Sequence, residues 1–139
     1  MNADENKPYL IVVDDEPNFS ESLQMALEDT FEVRRAHSIK TASLLLKDRI
    51  PDAVLLDLRL PDGSGIDLIQ GLRGLNPMPI VIVMTAYAMS GNAIKTFKEG
   101  AVGYLTKPLD IDKLKRALRV YLENRSGMTG GDKYDKGGQ

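Results

Sequence analysis

Three uninterrupted apolar runs punctuate the chain: Tyr9-Leu10-Ile11-Val12-Val13, Ala53-Val54-Leu55-Leu56 and Ile80-Val81-Ile82-Val83-Met84. Each is short, rich in branched aliphatics and free of polar alternation, the pattern of a strand buried on both faces. A polar group follows each run at once: Asp14-Asp15-Glu16, then Asp57, then Thr85. Residues 31–36 alternate instead, which predicts a half-exposed edge strand. Residues 101–106 predict a further short strand, ending in Lys107-Pro108.

Between these runs the apolar period changes to that of a helix. Pro17 suits a first helical turn with Asp15 or Glu16 near the cap, and Phe19, Leu23, Ala26 and Leu27 form the inner stripe of a helix ending near Asp29-Thr30. Ser38 is a natural N-cap for a second helix, with Ala42, Leu45 and Leu46 inward and Lys40, Lys47 and Arg49 toward water. Pro51-Asp52 breaks it. Ile66, Ile69, Leu72 and Leu75 recur at steps of three and predict a third helix, ended by Asn76-Pro77-Met78-Pro79. Residues 90–99 predict a fourth through Ala93, Ile94 and Phe97, weakened by Gly91. Asp110 caps a last helix whose inner face is Leu114, Ala117, Leu118 and Tyr121. Strand and helix thus alternate five times, which predicts the α/β class: a five-stranded parallel sheet with helices on both faces.

Length and composition narrow the setting. At 139 residues the chain suits one core-forming domain. The polar, charged residues 1–7 predict a flexible N-terminus, residues 8–124 the domain, and the glycine-rich residues 125–139 a flexible tail, linker or expression remnant. With no cysteine, disulfide frameworks and thiolate zinc sites are excluded. The first residues lack the basic and apolar regions of a signal peptide, and no apolar run approaches the ~20 residues that span a bilayer. A soluble, cytoplasmic protein with no membrane association is expected. Eighteen basic against 20 acidic residues, a formal charge of -2, give no electrostatic reason to expect nucleic-acid binding by this domain.

In a doubly wound parallel sheet, the loops after the carboxyl ends of the strands meet at one edge, where ligands bind. Asp14 and Asp15, Asp57, Thr85 and Lys107 would all arrive there. Each has an ordinary explanation, as a helix cap, a turn residue or a solvated cation. Together those explanations require four coincidences at equivalent strand ends, so one functional pocket is the better reading.

The ordered pieces Val12-Val13-Asp14-Asp15-Glu16, Leu55-Leu56-Asp57-Leu58-Arg59-Leu60-Pro61-Asp62-Gly63-Ser64-Gly65, Met84-Thr85-Ala86 and Lys107-Pro108 resemble the receiver domains of bacterial two-component response regulators, over roughly residues 8 to 124. The resemblance implies a flavodoxin-like strand order 2-1-3-4-5. It makes Asp57 the nucleophile that accepts a phosphoryl group from a partner sensor histidine kinase, forming an acyl phosphate. It implies Mg2+ held by Asp15 and Asp57 and by the backbone carbonyl of Arg59, with Asp14 acting through water or behind the direct ligands. Lys107 would pair with a phosphate oxygen, with a cis bond before Pro108, and Thr85 would turn toward the phosphoryl group while Tyr104 swings inward as the switch. The family also places side chains at Arg59 and Tyr87 that control water access. Such a protein is a signalling switch that hydrolyses its own acyl phosphate rather than a metabolic enzyme. The runs after Asp57 and Thr85 look most like receivers of the nitrogen-regulator type, joined to transcriptional activators that work with an ATPase and a DNA-binding domain. These often form a homodimer through the fourth helix, fifth strand and fifth helix, here residues 90–99 and 104–121.

Three other readings are weaker. A haloacid-dehalogenase-like phosphatase also uses an Asp nucleophile, magnesium, a Thr or Ser and a Lys, but needs an acid/base Asp where this chain has Arg59. An FMN binder would meet repulsion between its phosphate and Asp14-Asp15-Glu16. A degenerate receiver serving as an interaction scaffold conflicts with the complete acidic, Thr and Lys set. His37, the lone histidine, reads as a surface residue, and the six methionines as core filling.

Overall fold

The computed structural model describes residues 7–86, 98 and 100–127. Two compact units divide the chain, Met1–Leu109 and Asp110–Gln139. The first contains β1 (Tyr9–Val13), α1 (Pro17–Leu27), β2 (Glu32–Ala36), α2 (Ile39–Asp48), β3 (Ala53–Asp57), β4 (Arg59–Leu60), β5 (Gly63–Ser64), α3 (Gly65–Leu72), β6 (Ile80–Thr85) and β7 (Gly103–Thr106). Its main sheet has the order β2-β1-β3-β6-β7, with every neighbouring pair parallel. Leaving aside the two short strands β4 and β5, this is the expected 2-1-3-4-5 order. The alternating segment lies at an edge, as β2.

The apolar runs become the inner strands because they can be covered on both sides. Tyr9, Ile11, Val13, Val54, Leu56, Val81 and Val83 share one core with Ala42 of α2 and Leu68, Ile69 and Leu72 of α3. The intervening Leu10, Val12, Leu55 and Ile82 are as deeply buried, so side chains alternating along each strand fill a layer on either face. Helix α1 packs on β1 and β2 and buries Leu23 and Leu27 outside that first core.

Local chemistry explains most element ends. Ser38 caps α2 by accepting the Thr41 N–H, while the Thr41 hydroxyl accepts the Ser38 N–H, a reciprocal capping box. Ser64 caps α3 by accepting the Ile66 N–H at 3.1 Å. Some helix ends differ from expectation, and one element is new. Helix α1 stops at Leu27, where the Phe31 N–H turns back onto the Leu27 carbonyl. Helix α3 stops at Leu72 and leaves Leu75 in the following turn, because Gly71 and Gly74 weaken helical backbone there. The hairpin β4–β5, Arg59 pairing with Ser64 and Leu60 with Gly63, was not foreseen. Two-residue strands are too short to show a period.

Helix Ile111–Gly127 belongs to the second unit. Asp110 opens it, Oδ1 accepting the Lys113 N–H at 3.2 Å, and the helix continues three residues past Asn124. Leu114 and Leu118, one turn apart, are buried. The helix expected over residues 90–99, apart from Lys98, and Tyr87 lie outside the described residues.

Candidate functional site

The parallel register sets the site. Val13 pairs with both Ala36 and Leu56, Asp57 with Met84, and Thr85 with Thr106. The residues that follow the apolar runs therefore emerge along one edge, and β3, β1, β6 and β7 each deliver a polar side chain to it. Asp14 continues its strand, its N–H donating to the Ala36 carbonyl at 3.0 Å, and Lys107 does the same toward the Thr85 carbonyl at 2.7 Å.

At the centre stands Lys107. Its ammonium donates to Asp14 Oδ2 at 2.6 Å and to Asp57 Oδ2 at 3.0 Å. It also lies 4.1 Å from the centroid of the Phe19 ring, within cation–π reach. Phe19 was read from the sequence only as part of an inner helical stripe. Its position in the first turn of α1, soon after the acidic loop, was the available signal.

The carboxylates differ in their surroundings. Asp14 is 1% exposed and holds the Glu16 N–H on Oδ1 at 2.9 Å. Burial pushes its carboxyl up from the usual carboxylate range, against the pull of Lys107 and the Glu16 N–H, and the charge of Asp57 adds to the rise. For Lys107, burial works against the charged form, but the hydrogen bonds and opposite charges of Asp14 and Asp57 outweigh it and hold its pKa above that of a free lysine. The two directions agree physically: the ammonium remains charged, while the deepest carboxylate lacks water. Asp15 is exposed. Oxygens from Asp14, Asp15 and Asp57 lie within 4.8 Å of one another, an all-oxygen, anionic donor set of the kind a hard divalent cation takes.

Arg59 joins this group through its backbone, its N–H donating to Asp57 Oδ1 at 3.1 Å. Asp57 is thus held on both oxygens, by Lys107 on one and by the β4 backbone on the other. A cavity of about 310 Å³ opens over it, lined by Asp15, Asp57, Arg59, Leu60, Pro61 and Ala86. A larger cavity, about 880 Å³ and lined by Tyr9, Glu32, Arg49 and Asp52 among others, lies at the amino ends of β1 and β2, away from the carboxylates.

Thr85 and Tyr104 complete the expected set. Thr85 is buried at the end of β6, one residue beyond the Asp57 partner Met84. Tyr104 pairs with Val83, is half-buried and packs into the core that contains Val81 and Val83. Since side chains two apart on a strand share a face, and paired residues of parallel strands do too, Thr85 and Tyr104 project from the same side of the sheet. Tyr104 does not line the cavity over Asp57. The peptide bond between Lys107 and Pro108 is cis, as the resemblance implied.

Comparison with known proteins places the chain among its relatives. The family model for the response regulator receiver domain matches residues 10–119. The response regulator protein PilR of Pseudomonas aeruginosa is 38% identical over 117 residues, covering 84% of this chain and 26% of that one. The KDP operon transcriptional regulatory protein KdpE of Escherichia coli is 38% identical over 124 residues, covering 88% of this chain and 55% of that one. The chain therefore spans from about a quarter to a little over half of these relatives. Among solved structures, a CheY-like receiver domain protein from Methanospirillum hungatei superposes with a TM-score of 0.83 at 24% identity, covering 88% of this chain and 98% of that one, a likeness of fold. The beryllofluoride-activated NtrC4 receiver domain dimer superposes with a TM-score of 0.77 at 28% identity, covering 84% and 97%. With its strand order, its acidic edge and this match over most of its length, the chain belongs to the response regulator receiver domain family.

Proposed function

We propose that Asp57 accepts a phosphoryl group from a partner sensor histidine kinase and that the resulting charge is read through Thr85 and Tyr104. The observation that carries this reading is the Lys107 ammonium lying between the Asp14 and Asp57 carboxylates at the carboxyl edge of a parallel sheet. A carboxylate oxygen of Asp57 attacks phosphorus, the P–N bond of the donor phosphohistidine breaks, and its electron pair returns to the imidazole, which takes up a proton. Bound Mg2+, held by Asp15, Asp57 and the Arg59 carbonyl and by Asp14 through water, would neutralise charge between the incoming phosphoryl group and the carboxylates.

The chain's own groups account for the rest. The exposure of Asp15 beside Asp57 and Arg59 supports its direct role, and the burial of Asp14 under Lys107 supports its more remote one. Lys107 can move its charge from the Asp57 oxygen to a phosphoryl oxygen over a short path. Thr85 donates its hydroxyl to another phosphoryl oxygen, and Tyr104, on the same sheet face, repacks as Thr85 turns. Water attack on the acyl phosphate resets the switch, with the Arg59 side chain limiting access at the cavity wall. By similarity to the transcriptional regulatory protein KdpE, the output is transcriptional, and by similarity to the NtrC4 receiver domain dimer it runs through a homodimer.

Acetyl phosphate with Mg2+ tests the reading directly. Intact-mass spectrometry should find one added phosphoryl group, lost when EDTA is present from the start and absent in Asp57→Asn. An unmodified mass for the folded wild-type protein would reject Asp57 as phosphoacceptor, and an adduct on Asp57→Asn would move the chemistry to another residue.

A further inference from the structure

Asp62 stands at the tip of the β4–β5 hairpin, where the sequence suggests only a turn. Its side chain reaches across 23 residues of chain instead. Oδ1 accepts the N–H of Ile39 at 2.9 Å and Oδ2 the N–H of Lys40 at 3.0 Å. These are the first two helical residues of α2, whose N–H groups have no partner within the helix. Ser38 has already satisfied the Thr41 N–H, so Asp62 adds a second, tertiary cap. Its two hydrogen bonds also hold the Asp62 carboxyl below the usual carboxylate range.

The other side of the hairpin touches the phosphoacceptor. Arg59 pairs with Ser64 across β4–β5, and its N–H holds Asp57 Oδ1. Leu60 is buried in the core shared with Ile39. At Gly63, an added Cβ would lie 2.9 Å from Ile39 Cδ1, so the hairpin rests closely against the start of α2. The Arg59 peptide is therefore set from two sides, by β3 behind it and by α2 through Asp62.

We infer that Asp62 is a positioning residue of the phosphoacceptor site: by pinning the hairpin to the N-terminus of α2, it fixes the Arg59 N–H that orients the Asp57 carboxylate. This rests on the reading of Asp57 given above. It assigns the α2 start a part in the chemistry that its distance in sequence conceals.

The test compares Asp62→Ala with Ser38→Ala, which weakens the same helix start without touching the hairpin. In the unphosphorylated protein, NMR hydrogen exchange at the Arg59 amide should speed in Asp62→Ala, because local opening of the hairpin becomes easier, and stay at the wild-type rate in Ser38→Ala. With acetyl phosphate and Mg2+, the maximal labelling rate should fall by about tenfold in Asp62→Ala, with the half-saturating acetyl phosphate concentration unchanged. Asp62→Asn, which keeps one acceptor oxygen, should lie between and decides the matter if the alanine variant does not fold. Wild-type exchange at Arg59 in Asp62→Ala, or equal losses in both alanine variants, would overturn the inference. Failure of the wild-type protein to label would instead count against Asp57 as phosphoacceptor and leave the exchange result to decide the role of Asp62.

Discussion

Lys107 is a cation held in a cage of two carboxylates and one ring, and its removal has a defined consequence. Its side chain is 17% exposed, that of Asp57 12%, and that of Asp14 is fully covered. Breaking a buried pair by deleting one partner leaves an uncompensated charge, at a cost on the order of 3 kcal/mol for well-buried pairs. Lys107→Met should therefore lower the melting temperature at neutral pH. Added Mg2+ should recover more stability in the variant than in the wild type, because a cation can then take the place vacated between the carboxylates. Differential scanning calorimetry with and without Mg2+ measures this; equal metal-induced shifts in the two proteins would show that Lys107 and the cation do not share that place. Phe19 supplies a smaller hold of about 0.5–2 kcal/mol, enough to bias the lysine toward the α1 side of the site.

At the scale of elements, the junction between β3 and α3 is the tightest point near Asp57. A Cβ at Gly65 would lie 2.7 Å from the Asp57 carbonyl oxygen, 3.1 Å from Leu58 Cα and 3.2 Å from Leu56 Cγ. Two of these three neighbours are backbone, which cannot rotate away. The Gly65 N–H meanwhile donates to the Leu58 carbonyl at 2.8 Å, binding the start of α3 to the chain just past Asp57. Gly65→Ala should cost about 1–3 kcal/mol by overpacking, read as a lower urea midpoint. It should also displace the end of β3 and slow labelling of Asp57. An unchanged midpoint would mean that α3 shifts freely, and the close approach would lose its structural meaning.

For the molecule as a whole, the proposed phosphorylation of Asp57 would have to shift a population rather than a single contact. Moving two states from 1:99 to 99:1 requires ~5.5 kcal/mol, more than one new hydrogen bond to Thr85 supplies. The shared sheet face of Thr85 and Tyr104, and the embedding of Tyr104 in the core with Val81 and Val83, offer the additional packing change. Beryllofluoride, the agent present in the activated NtrC4 receiver dimer, should shift the wild-type protein toward dimer in sedimentation velocity. Thr85→Ala should keep Asp57 reactive yet lose most of that shift. A full shift in Thr85→Ala would remove Thr85 from the switch.

The sheet was legible in the sequence because a parallel strand covered on both faces is apolar along its buried length, as β1 is throughout, β3 up to Asp57 and β6 up to Thr85. Its ends were legible because a buried run stops where a charge or hydroxyl appears, so Asp14, Asp57 and Thr85 mark the edge in the sequence alone. Capping of α2 by Ser38 followed the same local logic. Contacts between distant segments carry no such signature. Period and composition record the environment of a residue, buried or wet, but not the identity of its neighbour. Phe19 beneath Lys107, the two hydrogen bonds from Asp62 to α2 and the pressure of Gly65 on the Asp57 backbone were therefore decided only by the folded chain. The sequence by itself determined which side chains reach the carboxyl edge; tertiary packing determined which of them touch, and so where the charge around Asp57 is held.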